Sequence, residues 1–168
     1  MTRLSFLDKG ITQVAIVVPD LDSAVENYHR LFGIEPWHFY TYKRPLVAEM
    51  HYRGEPADYA MRIALANTGP SRIELIEPLS GDSIYADFVR EHGYGPHHYG
   101  LYVQDMHAAL KEAGDAGFHV IMDGSGFGPD GDGHYAYLDT ESELGAILEL
   151  IERPARRHPP EKIYPPQA

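Results

Sequence analysis

The sequence predicts an α+β fold built from two pseudo-symmetric β-α-β-β-β modules. Three observations lead there. The tetrad Glu-Leu-Ile-Glu occurs twice, at Glu74–Glu77 and at Glu149–Glu152, each time inside an apolar run. Upstream of each copy stands a matching stretch, Gln13-Val-Ala-Ile-Val-Val-Pro-Asp and His98-Tyr-Gly-Leu-Tyr-Val-Gln-Asp, with Val18 over Val103, Asp20 over Asp105 and Ala24 over Ala109. Each of these stretches then passes into a helical apolar period. A repeat this long suits a pair of modules rather than a solenoid. A carboxylate in a half-buried strand is costly unless something cationic meets it, so Glu74 and Glu149 either meet a cation or face water at the flank of the strand.

Taken in order, residues 11–18 read as a β-branched strand ended by Pro19-Asp20. Asp20 is a natural N-cap, and Leu21, Ala24, Val25, Tyr28, Leu31 and Phe32 recur at helical spacing until Gly33 closes the helix. Residues 36–43 form an aromatic strand that 46–53 is expected to pair with. Tyr59–Ala66 and Arg72–Glu77 follow as strands about the turn Asn67-Thr-Gly-Pro. This first module spans 10–78. Residues 79–96 connect the halves through a short helix capped by Ser83 and stopped by Gly93. The second module, 97–153, repeats the order: strand 97–103, helix 105–116, strand 118–122, a glycine-rich loop 123–133, and strands 134–139 and 144–151. Residues 154–168 form a proline-rich tail, expected to be extended over the surface or a partner, or disordered.

Composition narrows the function classes. With 168 residues, 43% of them hydrophobic, the chain can build one compact core. The formal net charge of −11 excludes nucleic acid and anionic membranes as partners. No run approaches the ~18 apolar residues of a membrane span, and the N-terminus has no secretory core. Cysteine is absent, which removes disulfides and thiolate metal sites. The expected setting is cytoplasmic. Gly124-Ser-Gly-Phe-Gly and Asp130-Gly-Asp-Gly lack the context of a phosphate or calcium loop and read as turn chemistry. His29 and His107 read as solvated helix residues. The aromatic run from Trp37 to Tyr42, with Tyr52 and Tyr59, reads as core or dimer packing or as a pocket wall.

Ile11-Thr-Gln-Val-Ala-Ile-Val-Val-Pro-Asp-Leu-Asp, Ile73-Glu-Leu-Ile-Glu-Pro, Gly95-Pro-His-His-Tyr-Gly-Leu-Tyr-Val and Gly145-Ala-Ile-Leu-Glu-Leu together resemble the vicinal oxygen chelate superfamily, most closely its methylmalonyl-CoA epimerase branch. The resemblance covers about residues 10–153. It implies a curved mixed sheet around a metal-centred cleft, with metal ligands at Gln13, Glu74, His98 and Glu149; strand alternation favours His98 over His97, since His98 points with Gly100 and Tyr102. One imidazole nitrogen, an amide oxygen and two carboxylates suit one divalent ion per chain, with Zn, Ni, Co, Mn and Mg all open. Gln13 departs from the His of epimerases and matches glyoxalase I of animals. The resemblance further implies an acid-base role for Glu149 and a second acid before the third strand, for which Asp58 falls nearest and Glu55 is the rival. The implied reaction is proton abstraction next to a carbonyl through an enolate, on methylmalonyl-CoA or another acyl-CoA. The alternatives are a glyoxalase I-like lyase and a non-enzymatic, resistance-type protein that binds an aromatic compound. The expected partners are a small carbonyl-bearing substrate and a second copy of the chain in a homodimer. No basic cluster in the sequence marks a site for CoA phosphates.

Overall fold

The computed structural model describes residues 3–166. A 3-10 turn at Phe6–Lys9 precedes β1 (Gln13–Val17), α1 (Leu21–Phe32), β2 (Trp37–Tyr42), β3 (Glu49–Tyr52), β4 (Glu55–Pro56), β5 (Ala60–Thr68) and β6 (Ser71–Ser80). Then come α2 (Ile84–His92), β7 (Gly95–Val103), α3 (Met106–Asp115), β8 (Val120–Ser125), β9 (His134–Leu138), α4 (Glu141–Leu144), β10 (Ile147–Glu152) and β11 (Lys162–Tyr164). All strands join one mixed sheet in the order β11-β2-β5-β6-β1-β7-β10-β9-β8-β3-β4. The α+β fold read from the repeat is the fold found.

Equivalent elements of the halves are built by equivalent residues. β1 runs parallel to β6, β7 runs parallel to β10, and β1 and β7 join the halves antiparallel. Asp20 caps α1 by accepting from the Ser23 N–H at 2.7 Å, and Asp105 caps α3 from the Ala108 N–H at 3.0 Å. α1 buries Leu21 and Val25 against Trp37, Phe39 and Leu75, and α3 buries Met106 and Ala109 against Leu101, Leu148 and Leu150. The helices therefore cover one face of the sheet. The other face closes on itself. The Tyr59 and Tyr135 hydroxyls meet at 3.0 Å, although Tyr59 leads into β5 and Tyr135 lies on β9, five places apart in the strand order. In a flat sheet those strands would be about 24 Å apart, so the sheet is curled and its inner face is a core shared by both halves.

Two expectations about strands are corrected. Residues 46–53 do not pair with the aromatic strand; β3 crosses to the far edge and pairs with β8. Burial decides this, since Val47 and Met50 are fully enclosed in the shared inner core. The edge of β2 so vacated is taken by the tail, whose β11 pairs Lys162 with Phe39 and Tyr164 with Trp37. The loop after residue 122 begins later than expected because β8 continues to Ser125 along β9. No helix among the described residues is long and apolar enough to cross a membrane.

Candidate active site

The four neighbouring strands β6, β1, β7 and β10 each deliver one polar side chain to the inner face: Glu74, Gln13, His98 and Glu149. Register aligns them, with Gln13 opposite Gly100, Glu149 also opposite Gly100, and Ala15 opposite both Glu74 and His98. Gly100 is needed between them. A Cβ there would lie 2.7 Å from the Gln13 Cβ and 2.9 Å from Ile151 Cδ1. All four polar residues are buried, Gln13 completely. One ligand atom each from Glu74, His98 and Glu149 falls within 4.8 Å of the others. His98 Nε2 lies 3.1 Å from Glu149 Oε2 and 3.5 Å from Glu74 Oε2. Burial pushes the Glu74 carboxyl up, and the hydrogen bond to His98 draws it only partly back. Burial alone would discharge His98, but the Glu149 carboxylate, backed by Glu74, outweighs it and holds the imidazole at about 9. His97 lies behind, its Nδ1 2.9 Å from Nδ1 of His98. Burial, then the charge on His98, lowers it to about 3. A neutral His97 thus accepts from His98 and aims the Nε2 of His98 at the carboxylates, as an outer partner orients a ligating imidazole.

Gln13 is held from the other side. Arg72 Nε donates to its Oε1 at 2.5 Å, and its Nε2 donates to Glu74 and Glu149, each at 2.8 Å. The amide nitrogen thereby occupies the point between the carboxylates where a cation would sit. A divalent ion suits this group of donors: two carboxylates and an imidazole, buried and aimed at one centre. For Gln13 to serve as a fourth donor, its amide must turn over and release Arg72. Above this floor is a small cavity of about 30 Å³, open to solvent, whose wall includes Met61, Ile63, Leu65 and the phenols of Tyr42, Tyr85 and Tyr137. The Tyr85 and Tyr137 hydroxyls are 2.5 Å apart. Burial keeps these phenols neutral, raising all three above the usual range.

A sequence profile for the Glyoxalase/Bleomycin resistance protein/Dioxygenase superfamily matches residues 12–137, three quarters of the chain. The chain belongs to that superfamily. Among relatives within it, a 2-epi-5-epi-valiolone epimerase from Actinomyces sp is 31% identical over 87% of this chain and 80% of its own length. The mitochondrial methylmalonyl-CoA epimerase of Bos taurus is 27% identical over 83% and 72%. Among solved structures, methylmalonyl-CoA epimerase from Mycobacterium tuberculosis superposes with a TM-score of 0.58 at 21% identity, covering 89% of both chains. The Streptomyces coelicolor epimerase in complex with 2-nitronate-propionyl-CoA gives 0.55 at 25% identity, covering 84% of this chain and 94% of that one.

Not every residue singled out by the superfamily resemblance comes to the cleft. Gln13, Glu74, His98 and Glu149 meet there. Asp58 and Glu55 are exposed to solvent, and neither lines the cavity. The side chain that turns inward next to Asp58 is Tyr59, 1% exposed, which donates to the Asp123 carbonyl at 2.8 Å. Sequence reasoning also missed Tyr85, Tyr135 and Tyr137 as cavity walls, together with Arg72 and Arg157 on its rim. The alternation of His134-Tyr-Ala-Tyr-Leu was the available signal for two of the tyrosines. Nothing local marked the arginines.

Proposed function

We propose that this chain is a metal-dependent epimerase or isomerase that moves a proton at a carbon next to a carbonyl. The observation that carries the reading is a buried convergence of two carboxylates and an imidazole, in a cavity lined by no other acidic side chain among the described residues. One divalent ion held by Glu74, His98 and Glu149, with the Gln13 oxygen once its amide turns, would supply a charge that stabilises an enolate oxygen. Glu149 takes the proton and returns it to the opposite face or to the next carbon. The neutral phenols of Tyr85 and Tyr137 donate hydrogen bonds, and Met61, Ile63 and Leu65 exclude water from the carbanion-like centre. Asp58 has no part in this scheme. The superfamily relatives named above share epimerisation rather than a substrate, one named for 2-epi-5-epi-valiolone and the others for methylmalonyl-CoA. Methylmalonyl-CoA or another acyl-CoA is the first substrate to test.

The experiment is turnover in deuterium oxide with each substrate class. The expected result is solvent deuterium at the carbon next to the carbonyl without oxygen consumption, and coupled oxygen uptake rejects the reading. A glyoxalase I-like isomerisation of a thiol adduct is the second reading, favoured by the Gln-Glu-His-Glu composition of the site. It predicts turnover of a hemithioacetal in preference to an acyl-CoA. We also propose a homodimer, supported by Leu31 and Phe32, 60% and 70% exposed at the end of α1; a monomer mass in solution scattering rejects it.

A further inference from the structure

Five of the ten arginines of this acidic chain are neutralised where they stand, Arg3 by Asp8, Arg53 and Arg90 by Asp87, Arg62 by Asp22 and Glu77, and Arg156 by Asp130, while Arg30 and Arg44 bond instead to Asn27 and to the Ala48 carbonyl. Arg72, Arg153 and Arg157 differ. None of them has a carboxylate partner among the described residues, and all three converge on the mouth of the active-site cavity. Arg72 and Arg157 line the cavity itself. Both reappear with Arg153 in the trough above it, and Arg153 and Arg157 continue into a second trough toward Lys9. Arg72 and Arg153 lie against the ring of Tyr102, their guanidinium carbons 5.4 and 4.6 Å from its centroid. The acids bordering the troughs are engaged elsewhere: Glu35 with His29 at 3.3 Å, and Glu152 with the Met106 N–H at 2.7 Å. Arg157 is held over the mouth because the tail is tied down at the two residues just before it. The Ala155 N–H donates to Asp132 at 2.7 Å and Arg156 pairs with Asp130.

We propose that Arg72, Arg153 and Arg157 form an anion clamp at the mouth of the cavity, taking a carboxylate or phosphate group of the substrate whose carbonyl reaches Glu74, His98 and Glu149. The inference rests on the proton-transfer reading for the identity of that substrate, but the clamp itself is defined by three unneutralised guanidiniums around one opening. Guanidinium forks suit planar, bidentate recognition of both oxyanions. In a chain of net charge −11, a local basic rim also steers an anionic substrate that the rest of the surface repels.

Titration calorimetry on the metal-free protein, at constant ionic strength, tests the clamp without turnover. Malonate and inorganic pyrophosphate are the two probes. One saturable site is expected for at least one of them, weakened about tenfold by Arg157→Gln or Arg153→Gln and unchanged by Arg90→Gln, which removes the same charge from α2. Preference for malonate assigns the clamp to a substrate carboxylate, and preference for pyrophosphate to the phosphates of a carrier. Absence of saturable binding by both probes overturns the proposal, as does an equal loss in Arg90→Gln. Because binding is read in the absence of chemistry, that failure leaves the deuterium-exchange experiment standing, and failure of exchange leaves the clamp standing.

Discussion

Gln13 and His98 occupy equivalent positions of the two halves, on neighbouring antiparallel strands, and face the same pair of carboxylates. Their supports differ. His98 is backed by a neutral His97 and carries a charge created by its surroundings, whereas Gln13 carries none and is held by Arg72 from its own half. The glutamates show the same asymmetry. Glu149 is the nearer to His98, at 3.1 Å, and Glu74 the farther, at 3.5 Å. The edges diverge as well: the strand of the first half that should extend its own sheet has crossed to the second half, and the tail fills the gap. Duplication thus preserved where side chains sit while the work done at each place separated. Under the proposed function the second half moves the proton, through Glu149, and the first half sets orientation.

If that division is right, paired substitutions at equivalent positions should be unequal. Glu149→Gln is expected to lower deuterium exchange by about 10³-fold, the scale of a lost general base. Glu74→Gln is expected to cost far less once metal is supplied in excess. Single-turnover exchange measured by mass spectrometry on both variants decides the matter, and equal losses would erase the distinction between the halves.

Metal retention should show the next largest contrast. His98→Ala removes the only imidazole aimed at the carboxylates, and its metal affinity is expected to fall by at least about 100-fold. Gln13→Ala removes a group whose oxygen faces Arg72 rather than the carboxylates, and a loss of about tenfold or less is expected. Elemental analysis after dialysis against a weak chelator ranks the two. A greater loss in Gln13→Ala would move the metal-holding role into the first half.

A third contrast is readable without activity or metal. The imidazole of His98 is raised from 6.5 to about 9, so its stabilising charge is fully present below about pH 6.5 and is lost as pH rises through about 9. Glu74 is also raised and so also favours the acid side. The metal-free protein is therefore expected to lose roughly 3 kcal/mol across that window, a fall in Tm of roughly 6–12 °C for a chain of this size. Calorimetric melts at fixed ionic strength should show the fall in chelator and a much flatter profile with excess divalent ion, which takes over the proton's role between the carboxylates. A flat profile in chelator would mean that His98 is not the counter-charge.

The sequence made the central four strands and their polar residues legible because a repeat compares each residue with a partner. A Glu inside Ile-Glu-Leu-Ile is odd once and informative twice. The choice of His98 over His97 followed from alternation, and the β1–β7 pairing places His98 opposite Ala15. What the repeat could not show was anything supplied outside it. Tyr59, Tyr85 and Tyr135 enter from β5, α2 and β9, and only the curl of the sheet brings them together. Arg72 is too far in the chain from Arg153 and Arg157 to read with them as a cluster. Asp58 drew attention by its carboxylate, yet the inward place beside it belongs to a phenol. The pairing of 46–53 failed because adjacency in sequence was weighed above the burial of Val47 and Met50.

The smallest effect is the sharpest test of symmetry itself. Asp20 and Asp105 are repeat-equivalent, and unlike Gln13 and His98 they do the same work with the same geometry. Each accepts one backbone N–H three residues on, at 2.7 and 3.0 Å, satisfying a donor that the first turn of a helix otherwise leaves to water. Neither touches the cleft. Asp20→Ala and Asp105→Ala are therefore expected to lower Tm by a few degrees each, about 3 °C, and to leave metal affinity and deuterium exchange unchanged. The hydrogen bond at Asp20 also holds its carboxyl below the usual range, so that part of the Asp20 contribution should fade as pH falls through the depressed value. Near-equal losses would show that the halves remain interchangeable wherever the duty is structural, and would place their divergence in the cleft. A large loss at one cap alone would mean that the halves differ in stability as well as chemistry, and the functional contrasts at Gln13 and His98 would then need correcting for unequal unfolding before they could be assigned to the site.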